Sequence, residues 1–502
     1  MKYSVDEDLK NLTDIASKDS ISLANSQEIL NIIKRYFRGH NRNQSFMKIK
    51  SVLSGRFGDI LENFNFNDGT IFSTEYFLFC FTLTDPQVDF RTVNNGLYSQ
   101  VAVPFKNWVE AKVPFYEELM NTIEEGNDYV FIVRQAHVTG YYAPGKSIYT
   151  YAEALLSRGN NVWVIALYGK DDEFLSLTQK YPKLRVSLLF EDTLEVRLNS
   201  VIEILKLAKP KVILTEIEFD LPSILAIMNK KIPMLYLSQG YYNLPFYDLI
   251  GYLDADHRRV NLGEKHKGRQ ELDFFDLPVW VSKDILAPKY DRSTVNVAKK
   301  ELGLTQNDFV IGSFGQMGKF TKPFLNFLKK ILSKELSVKV LLAGPGDNSF
   351  VLSQLQEFIA QNRALVLPAV NVNIVGHCLD IGLDTFPFYG GYSVLELMAK
   401  DIPVLSLKGD DFSRVEGDRL PETVMPTDTE LLQLISDLIH EYDALSDLKS
   451  KTNNFMISHD KSELFIEALE KGVNIAQNKI LHQQLKMQID SMKIEIGNHK
   501  LI

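Results

Sequence analysis

The sequence predicts an α/β protein with two doubly wound parallel sheets. Short apolar runs alternate with amphipathic segments through most of the chain. Many of the apolar runs end in turns that contain glycine or a polar residue, as strand ends do. The alternation occurs once before and once after residues 279–290, which we interpret as a linker. Such alternation favours parallel strands joined by crossover helices that cover both faces of each sheet.

Size and composition fit a globular protein of several domains. The 502 residues leave room for about three domains, and 45% of them are hydrophobic. The net charge of −9 argues against nucleic acid as a partner. Cys80 and Cys378 are far apart and indicate no disulfide framework. The N-terminus lacks the basic and apolar regions of a signal peptide, and the apolar run at 76–83 is shorter than a membrane span, so we expect a cytoplasmic protein.

The first sheet is predicted within a domain at 126–285. Its predicted strands are 129–133, 162–167, 211–216 and 233–238, and its predicted helices are 148–158, 195–208 and 221–229. Ligands of doubly wound sheets lie beyond the carboxyl ends of the strands. The loops expected at that edge are 134–147, 216–221, 238–246 and 254–269.

The second sheet is predicted within a domain at 286–472. Its predicted strands are 309–314, 338–343, 370–375, 379–383 and 403–407. Its predicted helices are 323–333, 351–361 and 393–399, with further helix over 429–472. Residues 1–125 are predicted to form an N-terminal extension, and only its position in the chain suggests that it binds the acceptor. Residues 473–502 are predicted to form a helical or coiled-coil tail.

The last strand–turn–helix unit of the second domain has the features of an anion site. Gly390 and Gly391 form a turn, Ser393 lies near the helix start, and Glu396 lies about one turn further on. Glycine lets backbone amides approach an anion closely, and a helix N-terminus attracts negative charge.

An earlier unit of the same domain supplies cations. Lys319 and Lys322 follow the predicted strand 309–314 and are placed to neutralise a diphosphate. In the sequence AGPGD at 343–347, Gly344 and Gly346 would permit close approach of a ligand to the end of the next strand.

The segments FGQMGKF at 314–320 and LDTFPFYGGYSVLE at 383–396 resemble the donor-binding half of the O-GlcNAc transferase family. That family includes the bacterial adhesin N-glucosyltransferases. The resemblance covers roughly 130–470 and implies the GT-B arrangement, in which a UDP-sugar binds in the cleft between two Rossmann-like domains. The chain departs from the pattern at Gly391, where eukaryotic members have His, and at Glu396, where they have Asp. A paired-Glu motif of retaining relatives is incomplete, because its first Glu falls on Phe388.

This resemblance and the local patterns together predict the residues that bind the nucleotide sugar. They are Gly315, Gln316, Lys319, Lys322, Gly344, Asp384, Thr385, Gly390, Gly391, Tyr392, Ser393 and Glu396. Lys319 and the amides of 390–393 would stabilise the leaving diphosphate, and Gln316 would bond a phosphate or a sugar hydroxyl. Glu396 would accept hydrogen bonds from the ribose hydroxyls. We expect no cofactor beyond this co-substrate and no metal, since Asp254 and Asp256 are an isolated pair of acids.

The group that removes the acceptor proton is sought in the first domain. His137 follows the first predicted strand, and its ordinary pKa suits a general base. Glu216 and Glu218 follow the strand 211–216 and are the alternative bases.

The predicted activity is therefore transfer of a sugar from a nucleotide donor, UDP-linked and with inversion, to a protein side chain or a growing glycan. Three alternatives stay open: a retaining glycosyltransferase of the same fold acting on surface polysaccharide, a nucleotide-sugar epimerase, and a non-catalytic GT-B partner subunit.

Two segments suggest further contacts. Residues 34–56 are basic and form either a solvated face or a docking site for an acidic acceptor or a membrane surface. Residues 475–496 carry an apolar stripe that would support a homo-oligomer through a short coiled coil, or would pack on the helix's own domain.

Overall fold

We describe the protein from a computed structural model. The described residues are 5–18, 25, 28–29, 32, 52, 109 and 114–499, the last range without 137–142, 168, 170–171, 190–193, 218–220, 230, 239–248, 254–273, 283–289, 410–411 and 413–414. Most of the N-terminal extension, including the basic segment 34–56, therefore lies outside the described residues. So do the proposed bases His137 and Glu218, the acid pair Asp254 and Asp256, the predicted loop 254–269, and the predicted loop 238–246 after its first residue.

The first domain contains a seven-stranded sheet in the order β3-β2-β1-β4-β5-β6-β7, and every adjacent pair is parallel. Its strands are β1 (Asp128–Val133), β2 (Val162–Ala166), β3 (Leu184–Leu188), β4 (Pro210–Thr215), β5 (Met234–Ser238), β6 (Leu249–Leu253) and β7 (Phe274–Leu277). The helices up to this point are α1 (Val5–Ala16), α2 (Pro114–Asn121), α3 (Ala143–Ser157), α4 (Asp172–Lys180), α5 (Leu194–Ala208) and α6 (Leu221–Met228). Val130 and Phe131 of β1 are fully buried, as expected of a strand covered on both faces.

The second domain contains a six-stranded sheet in the order β10-β9-β8-β11-β12-β13, again with parallel neighbours throughout. Its strands are β8 (Phe309–Phe314), β9 (Val338–Ala343), β10 (Ala364–Leu367), β11 (Ile381–Leu383), β12 (Val404–Leu407) and β13 (Val424–Met425). Its helices are α7 (Arg292–Glu301), α8 (Lys322–Lys334), α9 (Ser349–Ala360), α10 (Val372–Val375), α11 (Tyr392–Ala399), α12 (Asp428–His440) and α13 (Tyr442–Ser458). The prediction of two doubly wound parallel sheets is confirmed.

Two predicted elements differ in the structure. The strand predicted at 370–375 is wrong, because Val372–Val375 is the short helix α10 and the edge strand is Ala364–Leu367. The side-chain oxygen of Asn371 accepts the backbone N–H of Asn373 at 3.0 Å, which caps a helix rather than extending a strand. Helix α3 begins at Ala143, earlier than the predicted start at 148, with Pro144 in its first turn.

The chain returns to the first domain through its last helix, α14 (Ser462–His499). The ring of Phe465 stacks on that of Tyr151 in α3, with centroids 4.4 Å apart, and lies 5.4 Å from the indole of Trp280. Further along α14, Glu470 pairs with Lys211 of β4 at 2.7 Å. The division predicted between 472 and 473 falls inside this helix. Within the described ranges, no helix combines the length and the apolar character needed to cross a bilayer.

Candidate functional site

The two sheets have equivalent crevices where their winding reverses. In the first sheet the reversal lies between β1 and β4, and in the second between β8 and β11. Crossover connections leave such a pair of strands in opposite directions, so a crevice opens beyond their carboxyl ends, where ligands of doubly wound sheets bind. The predicted donor-binding residues follow β8, β9 and β11, at the crevice of the second sheet.

The loops after β8 and β9 pack directly on one another. A Cβ placed on Gly344 would lie 1.7 Å from the backbone oxygen of Gly315, so only glycine fits at this contact. The N–H of Met317 donates to the carbonyl of Pro345 at 2.9 Å. The close approach that Gly344 permits in the structure is therefore between two loops, and it fixes the short 3-10 turn that carries Gln316 and Lys319.

Lys319 reaches from this turn toward the loop before α11. Its Nζ donates to the backbone carbonyl of Tyr389 at 3.2 Å, and its side chain is half-buried. The hydroxyl of Thr321 donates to the carbonyl of Phe386 at 2.9 Å and ties down the same loop. Gln316 is exposed beside this contact, and Lys322 is exposed at the first residue of α8. The structure thus brings Lys319 together with the glycine turn.

Asp384 and Thr385, at the end of β11, are buried and shape the turn. Asp384 accepts the N–H of Gly390 at 2.7 Å. The same carboxylate pairs with the guanidinium of Arg419 at 2.8 Å, with both side chains almost completely buried. The hydroxyl of Thr385 donates to the carbonyl of Phe388 at 2.5 Å. The polar groups of Asp384 and Thr385 are therefore occupied by the protein itself.

Gly390 and Gly391 differ in what surrounds them. A Cβ on Gly390 would lie 2.8 Å from Ser393 Oγ and 3.1 Å from the Asp384 carboxylate, so the turn has no room for a side chain. Gly391 is the N-cap residue of α11 and is exposed, and no atom of the described residues lies within 4 Å of its added Cβ. The N-terminus of α11 therefore opens onto accessible space in front of Gly391, with Tyr392 buried and Ser393 half-buried.

Behind this turn lies a small cavity of about 10 Å³, lined by residues of β8, β11 and α11 that include Ser313, Thr385 and Ser393. A cavity of this size holds about one water molecule. This cavity is therefore too small to hold a nucleotide.

The face that α11 presents to the first domain is polar, although the helix is buried. Tyr392, Glu396 and Lys400 follow one another at intervals of four residues. Glu396 forms an ion pair with Lys146, in the first turn of α3. Lys400 Nζ donates to the backbone carbonyl of Glu396 at 3.1 Å. Burial lowers the pKa of Lys400 to about 8, although the Glu396 carboxylate acts in the opposite direction. Burial likewise raises the pKa of Tyr392, which interacts with Tyr151 of α3.

The crevice of the first sheet carries an acid at the equivalent place. Glu216 directly follows β4, is buried, and accepts the backbone N–H of Arg134, which follows β1, at 2.9 Å. Its carboxylate thus bridges the two strands between which the winding reverses. Its role as a general base stays a prediction, as does that of the two candidates outside the described residues.

The structure adds three charged residues that the sequence patterns did not reveal. Arg419 pairs with Asp384, Lys146 pairs with Glu396, and Lys400 lies against the same acid. The one available signal was the polar residue at every fourth position of an otherwise apolar helix, because such a stripe needs a polar partner when it is buried. In the described part of the chain, no group of three or more His, Cys, Asp or Glu residues is placed to hold a metal ion.

Known structures share this architecture. A glycosyltransferase from Rickettsia africae ESF-5 is 16% identical, with a TM-score of 0.52, and the match covers 70% of this chain and 100% of that one. A mutant O-GlcNAc transferase of Thermobaculum terrenum is 14% identical with a TM-score of 0.49, covering 96% of this chain and 100% of that one. Anabaena HepE in complex with UDP and glucose is 14% identical with a TM-score of 0.49, covering 71% and 98%.

These identities are low, so the likeness concerns the fold. No protein-family model matches the sequence, and no curated protein sequence matches it. The two parallel sheets of this chain share one strand order through their first six strands. Together with the structural likeness, this architecture shows that the chain has the GT-B fold.

Proposed function

We propose that this chain is a glycosyltransferase that transfers a sugar from a nucleotide donor, UDP-linked, to a protein or glycan acceptor with inversion at the anomeric carbon. One observation carries the proposal. Lys319 meets the loop before α11 at the crevice of the second sheet, and the N-terminus of α11 opens onto accessible space at the same place. The fold that the chain shares with a glycosyltransferase from Rickettsia africae supports the same class of activity.

The chemistry required of the site is mainly electrostatic. As the bond between the sugar and the diphosphate breaks, negative charge grows on the leaving phosphate. The Lys319 ammonium and the amides at the start of α11 would stabilise that charge. The hydrogen bonds from Lys319 to the carbonyl of Tyr389 and from the N–H of Gly390 to Asp384 hold the turn before any ligand arrives, so it needs little reorganisation when the nucleotide binds. Nucleophilic attack by the acceptor on the opposite face of the anomeric carbon requires a base, for which Glu216 is the described candidate.

The test is release of UDP from a panel of UDP-sugars by the full chain, with and without candidate acceptors, comparing wild type with Lys319→Ala. We expect kcat/KM to fall about 10²-fold, as for the loss of one preorganised charge-stabilising group. Lys334→Ala is the matched control, because this exposed lysine lies at the other end of α8 and should leave kcat/KM unchanged. Full activity of Lys319→Ala would refute the proposed donor site. The anomeric configuration of the product, read by NMR, separates inversion from retention.

A second candidate function is a non-catalytic GT-B subunit, and one observation favours it. The Glu396 carboxylate, which we assign to the ribose, is paired with Lys146 in the structure, and both side chains are almost completely buried. A subunit of this kind would bind a protein partner and show no affinity for UDP. Titration calorimetry with UDP therefore separates the two candidates, since measurable binding supports the transferase.

A further inference from the structure

The ion pair between Lys146 and Glu396 links the two domains at the edge of the candidate donor site. Lys146 belongs to α3 of the first domain, and Glu396 belongs to α11 of the second. The exposed fractions of the two side chains are 5% and 4%. A buried charge is stable only with a partner, so each of these residues holds the other in place.

A second ammonium lies beside the same carboxylate. Lys400, the C-cap residue of α11, donates to the backbone carbonyl of Glu396 and interacts with its carboxylate. Because this hydrogen bond is made to the main chain of α11, Lys400 remains beside Glu396 whether or not α3 is in contact. The carboxylate would therefore keep a cation nearby if Lys146 were withdrawn.

The next inference rests on the proposed function, in which Glu396 accepts hydrogen bonds from the ribose hydroxyls. A carboxylate covered by α3 and held by Lys146 is not accessible to a ribose. For Glu396 to receive the nucleoside, its contact with Lys146 must be broken and the facing surfaces of α3 and α11 must separate. The ribose hydroxyls and the Lys146 ammonium thus compete for one acceptor.

We propose that Lys146 determines the affinity for the nucleotide by competing with the ribose for Glu396. In the nucleotide-free protein, the ion pair holds α3 against α11. A bound nucleotide replaces Lys146 at the carboxylate, and Lys400 compensates the charge of Glu396 during the exchange. Removing the competing ammonium should strengthen binding, whereas removing a direct ligand of the nucleotide would weaken it. The sign of the change therefore tests the proposal.

The experiment is titration calorimetry of UDP with the full chain, wild type against Lys146→Met. We expect Lys146→Met to bind UDP roughly tenfold more tightly, within the range typical of coupled equilibria. The gain should vanish for 2′,3′-dideoxy-UDP, which keeps the base and the diphosphate but lacks the hydroxyls that Glu396 would accept. Lys146→Gln, which is milder at a buried site, should give a smaller gain and provides a second test if the methionine variant does not fold.

Lys211→Met is the matched control. Lys211 also belongs to the first domain and also pairs with a glutamate from the C-terminal part of the chain, Glu470 of α14, but outside the crevice of the second sheet. Its substitution should leave the Kd for UDP unchanged. Unchanged or weaker UDP binding by both Lys146 variants would overturn this proposal, and so would an equal gain in affinity for dideoxy-UDP. In either case, UDP binding by the wild type would still support the proposed function. If neither wild type nor the Lys146 variants bound UDP, both proposals would fall.

Discussion

The two sheets share one strand order through their first six strands, yet the acids at their equivalent crevices are held in different ways. Asp384, after β11, is neutralised by the buried guanidinium of Arg419 and accepts the N–H of Gly390. Glu216, after β4, bridges to β1 by accepting the N–H of Arg134. Asp384 is an integral part of the glycine turn. We expect the same position in the first domain to serve chemistry, and substitutions at the two crevices should separate these roles.

The largest effect on stability is expected for Arg419→Met. The substitution leaves Asp384 buried without its cation, which destabilises a protein by about 3–5 kcal/mol. Urea unfolding would measure the loss. Lys408→Met provides the control, because Lys408 and Glu416 pair at 3.0 Å with both side chains about half exposed, and such pairs contribute about 0–1 kcal/mol. Equal losses in the two variants would mean that the buried pair does not stabilise the turn.

The next effect concerns activity rather than stability. Glu216→Gln keeps a side-chain oxygen that can accept the N–H of Arg134 but removes the group that would take a proton. We expect kcat to fall by about 10²–10⁴-fold, the range for loss of a general base, with the donor KM and the unfolding midpoint little changed. Steady-state kinetics at saturating donor would measure the change. If the Glu216→Gln enzyme kept full activity, another residue would be the general base, and His137 would be the next to test.

A smaller effect is expected where the loops after β8 and β9 meet. Gly344→Ala places a methyl group 1.7 Å from the carbonyl oxygen of Gly315, so the loops must separate. Overpacking of this kind destabilises by about 1–3 kcal/mol, and displacement of Lys319 should also weaken UDP binding. Thermal unfolding and calorimetry would measure the two changes. Gly318→Ala, whose new methyl group has no atom of the described residues within 4 Å, should alter stability much less. Similar losses in both variants would contradict this explanation.

The sequence predicted the interior strands of both sheets, except β6 of the first sheet, because such strands are apolar on both faces. Val130, Phe131, Val340 and Leu341 are all fully buried and stand in continuous apolar runs. Edge strands lack this signal. Leu184–Leu188 is partly exposed, and Val424–Met425 is only two residues long, so neither was predicted. The error at 370–375 has a similar origin, since a short apolar run does not distinguish a strand from one turn of helix.

The parts of the candidate site that follow strand ends could be predicted from the sequence. The glycine turn and the helix after it lie within a few residues, and the direction of parallel strands brings Lys319 to the same edge. Arg419 gives no such signal, because its contact with Asp384 depends on how the loop after β12 folds back. The pairing of Lys146 with Glu396 depends on the relative placement of two domains, which no local pattern specifies.

Helix α14 has a consequence for how this protein can be divided. Phe465 completes an aromatic cluster with Tyr151 of the first domain and Trp280 at the start of the linker, and Glu470 forms an ion pair with Lys211 of the first domain. A fragment that contains these residues but lacks the last helix would expose both aromatic rings to water and lose the partner of Lys211. Separate production of the N-terminal half should therefore require the last helix as a co-expressed peptide, and a chain shortened before residue 462 should aggregate through the uncovered rings.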